Sequence, residues 1–101
     1  MSTAISTIDT IKLKFALGQL VATPGAIEAL SSEYNEGLEL VMRHAAGDFG
    51  DVCTEDAALN SEAIREGYRI LSAYTTRSSV KVWIITEADR SVTTILLPEE
   101  Y

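Results

Sequence analysis

VKVWIITEADRSVTTILL, residues 80–97, carries the reading of the fold. Val80–Glu87 and Ser91–Leu97 are dense in β-branched and aromatic residues, whose side chains suit a pleated, partly buried surface, and only Ala88-Asp89-Arg90 separates them. So short a link closes an antiparallel hairpin, because a parallel crossover needs about a dozen residues or more. Upstream, Tyr68–Thr76 (YRILSAYTT) has the same character and joins Val80 through Arg77-Ser78-Ser79. These segments predict a C-terminal three-stranded antiparallel meander, ended by Pro98, which lacks an N–H. Trp83 is expected as the largest core residue of its central strand.

The preceding residues change period. In Ile11–Ala22 (IKLKFALGQLVA), Ile11, Leu13 and Phe15 alternate with Lys12 and Lys14 until Gly18, which predicts an added N-terminal strand or two short ones broken at the glycine. Thr23-Pro24 then supplies a hydroxyl cap and a proline at the first helical position, opening a short helix to about Ser31 with Ile27 and Leu30 inward. Asn35 is read as the cap of a second helix, in which Leu38, Val41, Met42 and Ala45 form the buried stripe and Gly47 the left-handed end. Thr54 is read as the cap of a third helix, which is open to a break at Asn60-Ser61 and stops at Gly67. Helices followed by strands give an α+β fold: two or three short helices packed on the meander in a single domain, 1–101. A chain of 101 residues can remove about 65 % of its unfolded surface from water, enough for one core.

The net charge is −7, and residues 28–66 account for the acidity with ten Asp and Glu against Arg43 and Arg65. Such a field repels nucleic-acid phosphates and attracts a basic partner. The expected partner-binding face comprises Glu36, Glu39, Asp48, Asp51, Glu55 and Glu62. Residues 67–101 balance four charges of each sign, and Arg69, Arg77, Lys81 and Arg90 make a modest basic set there. Tyr68, Tyr74, Trp83 and Tyr101 would stack bases only beside a basic groove, which neutral strands do not form, so direct nucleic-acid binding is not expected. The first ten residues, MSTAISTIDT, lack a basic start and a continuous apolar core, and no later apolar run approaches the ~18 residues of a membrane span. A cytoplasmic location without membrane contact is therefore expected, and a single cysteine, Cys53, fits a reducing compartment.

Several sites are argued down by their chemistry. Asp48-Phe49-Gly50 resembles a kinase motif, but the glycine-rich loop, strand lysine and His-Arg-Asp loop that give it a role are missing. Asp48, Asp51, Glu55 and Asp56 do not follow the alternating oxygen ligands of an EF-hand, so neither metal nor cofactor is expected. Instead Gly47 ends a helix, Phe49 plugs the core from a tight turn, and Asp48 or Asp51 satisfies loose backbone N–H groups. His44, the one imidazole, is read as a capping or partly buried structural residue. Cys53 has no neighbouring base to activate it as a nucleophile, so an inert thiol is expected. No catalytic residue is assigned and non-enzymatic action is favoured.

Four stretches resemble a group of small uncharacterised proteins carried by bacterial plasmids and other mobile elements: LGQLVATPGA (17–26), RHAAGDFGD (43–51), SEAIREGYRILSAY (61–74) and, above all, KVWIITEADRSVTTILLPEEY (81–101). They cover more than half the chain. In such relatives the Phe49 position is often tryptophan, which suits a core plug. Members are labelled plasmid-related proteins or methyltransferase subunits of type I restriction systems. This chain lacks the glycine-rich turn and Asn-Pro-Pro-Tyr-like loop of a methyltransferase, so the resemblance implies a mobile-element accessory protein and transfers no catalytic residue. The expected function is accessory or regulatory protein–protein interaction with a basic partner. The alternative is a small ribonuclease toxin similar to barnase-like and RelE-like folds, with His44 or Glu62 as base and Arg69, Arg90 and Thr93 on the phosphate. The end of the meander is a place where two copies could pair as a homodimer.

Overall fold

The computed structural model describes residues 13–101. Within them the order is β1 (Gln19–Ala22), α1 (Pro24–Ala29), α2 (Glu36–Ala45), α3 (Thr54–Glu66), β2 (Ile70–Thr75), β3 (Lys81–Thr86) and β4 (Val92–Leu96), closed by a 3₁₀ turn at Pro98–Glu100. The chain is α+β, and the meander β2-β3-β4 is present. It is not the whole sheet. β1 adds parallel to β4, giving a four-stranded mixed sheet in the order β1-β4-β3-β2. The strand that ends the meander therefore lies inside the sheet, and β1 and β2 form its edges.

Local signals act where the sequence placed them. The Thr23 hydroxyl accepts the Ala26 N–H at 3.2 Å, and Gly67 ends α3 in the left-handed conformation at φ 82°. Gly47 follows α2 at φ 93°. Two caps differ from expectation. Asn35 itself adopts the left-handed conformation and makes no side-chain cap bond, while the cap position of α3 falls on Cys53, also without a side-chain bond, and Thr54 is the first helical residue. α3 runs unbroken through Asn60-Ser61. The alternating Leu13–Phe15 is not a strand, and Ile11 and Lys12 lie outside the described residues. Phe15 instead sets its ring edge-on to His44, with centroids 5.2 Å apart.

Register assigns the two faces of the sheet. Ile70, Ser72 and Tyr74, with Val82, Ile84, Thr86, Thr93 and Ile95, point one way. Tyr74, Val82, Ile84 and Ile95 pack there against Ala26 and Ala29 of α1 and Leu40 and Val41 of α2. A second cluster joins Phe49, Ala63 and Ile70. Trp83 faces the other way and is not in either cluster; it is half-buried, with the Tyr101 ring against it at 5.7 Å. Two further core assignments are corrected, since Ile27 is 62 % and Leu38 57 % exposed. The cause in α2 is Glu36, whose buried carboxylate accepts N–H groups from Ser31 and Arg77 and so fixes the helix rotation. Leu40, Val41, His44 and Ala45 then turn inward and Leu38 outward. A buried carboxylate with two backbone donors outweighs one leucine, because leaving a buried charged group without its hydrogen bonds costs more than the about 1–3 kcal/mol of a neutral one.

The β2 edge is closed by side chain and loop. The Asn60 amide donates to the Leu71 carbonyl at 2.8 Å and accepts the Leu71 N–H at 3.2 Å. Two residues on, the Asp51 N–H meets the Ala73 carbonyl and the Ala73 N–H meets the Phe49 carbonyl. Among the described residues no helix is long and apolar enough to cross a membrane.

Candidate functional site

The six carboxylates expected to form one acidic face divide by environment. Glu36 is 3 % exposed and committed to backbone donors, 2.9 Å from Ser31 N and 2.6 Å from Arg77 N. Glu39 pairs with Arg77 at 3.5 Å, Asp48 with Arg43 at 2.7 Å and Asp51 with Lys81 at 3.3 Å. The Arg43 hydrogen bond holds the Asp48 carboxyl below its usual range, and the Thr75 hydroxyl, then Lys81, does the same for Asp51. These exposed pairs contribute at most about 1 kcal/mol each to stability, but each sets a cation beside its acid.

Glu55 and Glu62 remain, both exposed on α3 and without an ion pair among the described residues. Helical spacing aligns Glu55, Leu59, Glu62 and Glu66 at i, i+4, i+7 and i+11 on one outward stripe. Leu59 in its middle is 61 % exposed. It borders a depression of about 220 Å³ that Val52, Asp56, Asn60 and Leu71 complete. Glu66 lies in the last helical turn, where the dipole disfavours an anion. Leu59 and Glu66 escaped the sequence-level choice of site, although their spacing was readable in it; the signal was periodicity among acids rather than their number.

The groups of the nuclease alternative do not meet on an open surface. His44 and Thr93 are both fully buried. The Arg90 guanidinium donates to the carbonyls of Tyr68 at 2.7 Å and Ala63 at 3.0 Å, and Arg69 engages Glu87 and Tyr101. The structure does bring His44 and Thr93 together through Thr86. His44 Nδ1 lies 2.6 Å from Ser72 Oγ and its Nε2 2.9 Å from Thr86 Oγ1, which is 2.7 Å from Thr93 Oγ1. Thr93 in turn donates to the Leu17 carbonyl at 2.7 Å.

Proton counting sets every direction in this chain. A carbonyl only accepts, so the single Thr93 hydrogen goes to Leu17, and Thr86 must donate to Thr93. Thr86 then has no hydrogen for the imidazole, so His44 donates from Nε2 and accepts at Nδ1 from Ser72. Sequence reasoning placed His44 at a helix end but could not see hydroxyls on three strands meeting it.

Burial pushes the His44 imidazole down to about 4, from 6.5 in a solvated chain. Between those values the unfolded chain carries the extra proton, so stability rises with pH across that window. The contribution is complete above pH 6.5 and declines below it, by about 3 kcal/mol on reaching pH 4. Urea midpoints measured from neutral pH down to 4 are expected to report this loss. A flat profile across the window would show that His44 is solvated in the native state.

Among the described residues no three His, Cys, Asp or Glu side chains gather as a metal cluster, and Cys53 is an exposed free thiol. Comparisons with protein-family models, curated proteins and solved structures gave no match.

Proposed function

We propose that this chain acts without catalysis, as an accessory or regulatory interaction protein of a mobile genetic element, and that α3 presents the surface its partner recognises. The observation that carries this reading is the outward stripe Glu55-Leu59-Glu62-Glu66, whose carboxylates, unlike those of Glu39, Asp48 and Asp51, form no ion pair among the described residues and, unlike that of Glu36, are not held by backbone N–H groups. An exposed leucine beside an apolar hollow, bordered by acids, favours a basic partner that also offers an apolar side chain. The mobile-element setting comes from the resemblance of residues 17–26, 43–51, 61–74 and 81–101 to plasmid-borne proteins.

Affinity capture from a bacterial lysate at low and at high salt tests the reading. A basic partner is expected at low salt and should be released as ions screen the contact. Reversing Glu55, Glu62 and Glu66 together to lysine is expected to weaken the captured complex by about 100-fold, with roughly 1 kcal/mol from each charge. Reversing Glu39 alone should change it little. Capture that ignores both salt and the triple reversal would overturn the proposal.

A further inference from the structure

The two edges of the sheet are treated differently by the chain. β2 is closed by Asn60 and by the Phe49–Asp51 loop, whereas β1 has β4 on one side and, among the described residues, nothing on the other. Gln19 N–H and Thr23 N–H reach the Ser91 and Ile95 carbonyls at 3.0 Å each, so the alternation of a parallel ladder turns the N–H and C=O of Leu20 and Ala22 outward. β1 also lacks the usual guards of an edge, since Gln19-Leu20-Val21-Ala22 contains neither charge nor proline. Leu20 is 50 % exposed and Leu38 on α2 57 %. With Ala22, Val41 and Ile95 they border a hollow of about 250 Å³ along the strand, none of whose lining residues is charged.

We infer that a second copy of this chain pairs with the β1 edge, antiparallel about a twofold axis at Val21, so that two sheets become one of eight strands. The pairing satisfies the edge, because Leu20 and Ala22′ exchange N–H···O bonds and symmetry repeats the exchange. It also fits side chains, setting the large Leu20 of one protomer against the small Ala22 of the other on the helix-facing side, next to both copies of Leu38. Charge selects the occupant. Two molecules of net charge −7 repel over most of their surface and can approach through an uncharged face, while a basic partner gains nothing there. β1 lies at the opposite end of the sheet from β2, on which α3 packs, so this dimer leaves both acidic stripes free. The inference stands independently of the function proposed for α3.

Sedimentation equilibrium of the full chain over a wide concentration range tests it. The expected mass is twice the 11.0 kDa of one chain, with association strengthened by salt, the opposite sign from the α3 contact. Leu20→Lys and Leu38→Asp change exposed side chains, and each is expected to weaken association at least tenfold with an unchanged far-UV circular dichroism spectrum. Glu62→Lys should retain a dimer. In hydrogen exchange the Leu20 and Ala22 amides should slow on dimerisation, while Gln19 and Val21 are slow in both states. A monomer at every concentration, a dimer indifferent to both variants, or Leu20 and Ala22 amides that exchange fast in the dimer or slowly in a monomer would each overturn the inference, the last by placing another part of the chain on the edge.

Discussion

His44→Ala is expected to reduce the free energy of unfolding by about 4 kcal/mol, a large part of the stability of a domain this size. Two costs combine. The imidazole is fully buried, and its removal leaves a space bounded by the Phe15 ring and the sheet. The Ser72 hydroxyl also loses the acceptor of its only hydrogen, and Thr86 loses the Nε2–H that it accepts. Thr93→Val strikes the other end, leaving the Leu17 carbonyl without its donor and the Thr86 hydrogen without an acceptor, for about 2 kcal/mol. A double-mutant cycle between the two positions should reveal coupling of at least about 0.5 kcal/mol, because both act on Thr86. Long-range ¹⁵N correlation of the imidazole gives a direct check: a neutral ring protonated at Nε2. The Nδ1–H form would contradict the donor order.

Gly50→Ala is expected to cost about 3–4 kcal/mol, well above the same change at Gly67. The two glycines have similar backbone conformations, with φ of 73° and 82°. Their surroundings differ. A Cβ on Gly50 would lie 2.1 Å from the Ala73 carbonyl oxygen and 2.5 Å from the Tyr74 ring, whereas one on Gly67 meets nothing within 4 Å. The Gly67 change therefore costs the left-handed strain alone, about 1–2 kcal/mol. At Gly50 the chain must also retreat from β2, breaking the Asp51–Ala73 and Ala73–Phe49 hydrogen bonds and loosening the buried Phe49. Chemical denaturation measures the difference, and faster exchange of the Ala73 amide in Gly50→Ala alone would locate it. Equal losses at the two sites would mean that the β2 edge does not depend on this approach.

AAGDFGD, residues 45–51, is thus explained as architecture. Gly47 ends α2, the Asp48 carboxylate accepts the Gly50 N–H at 3.2 Å, Phe49 enters the core, and Gly50 lets the loop lie against β2. The tight turn, the core plug and the carboxylate cap were legible, because each depends on residues a few positions apart. Contact with Ala73 was not, since it joins residues 23 positions distant with no periodicity to announce it. The candidate site followed the same division. Acid content pointed to residues 28–66, but the pairing of Glu39 with Arg77 and of Asp51 with Lys81 is a property of where elements remote in the chain come to rest.

The amino-acid sequence alone determined the three helices, the three strands of the meander and most of their ends, because a proline, a left-handed glycine or a three-residue link acts within one turn of chain. Tertiary structure decided that β1 joins parallel to β4, that Glu36 turns inward at the expense of Leu38, and that His44 closes a line of hydroxyls from three strands. In each of those cases the deciding partner is remote in the chain, and at Glu36 and His44 the free energy of pairing a buried polar group exceeds the local preference that opposes it.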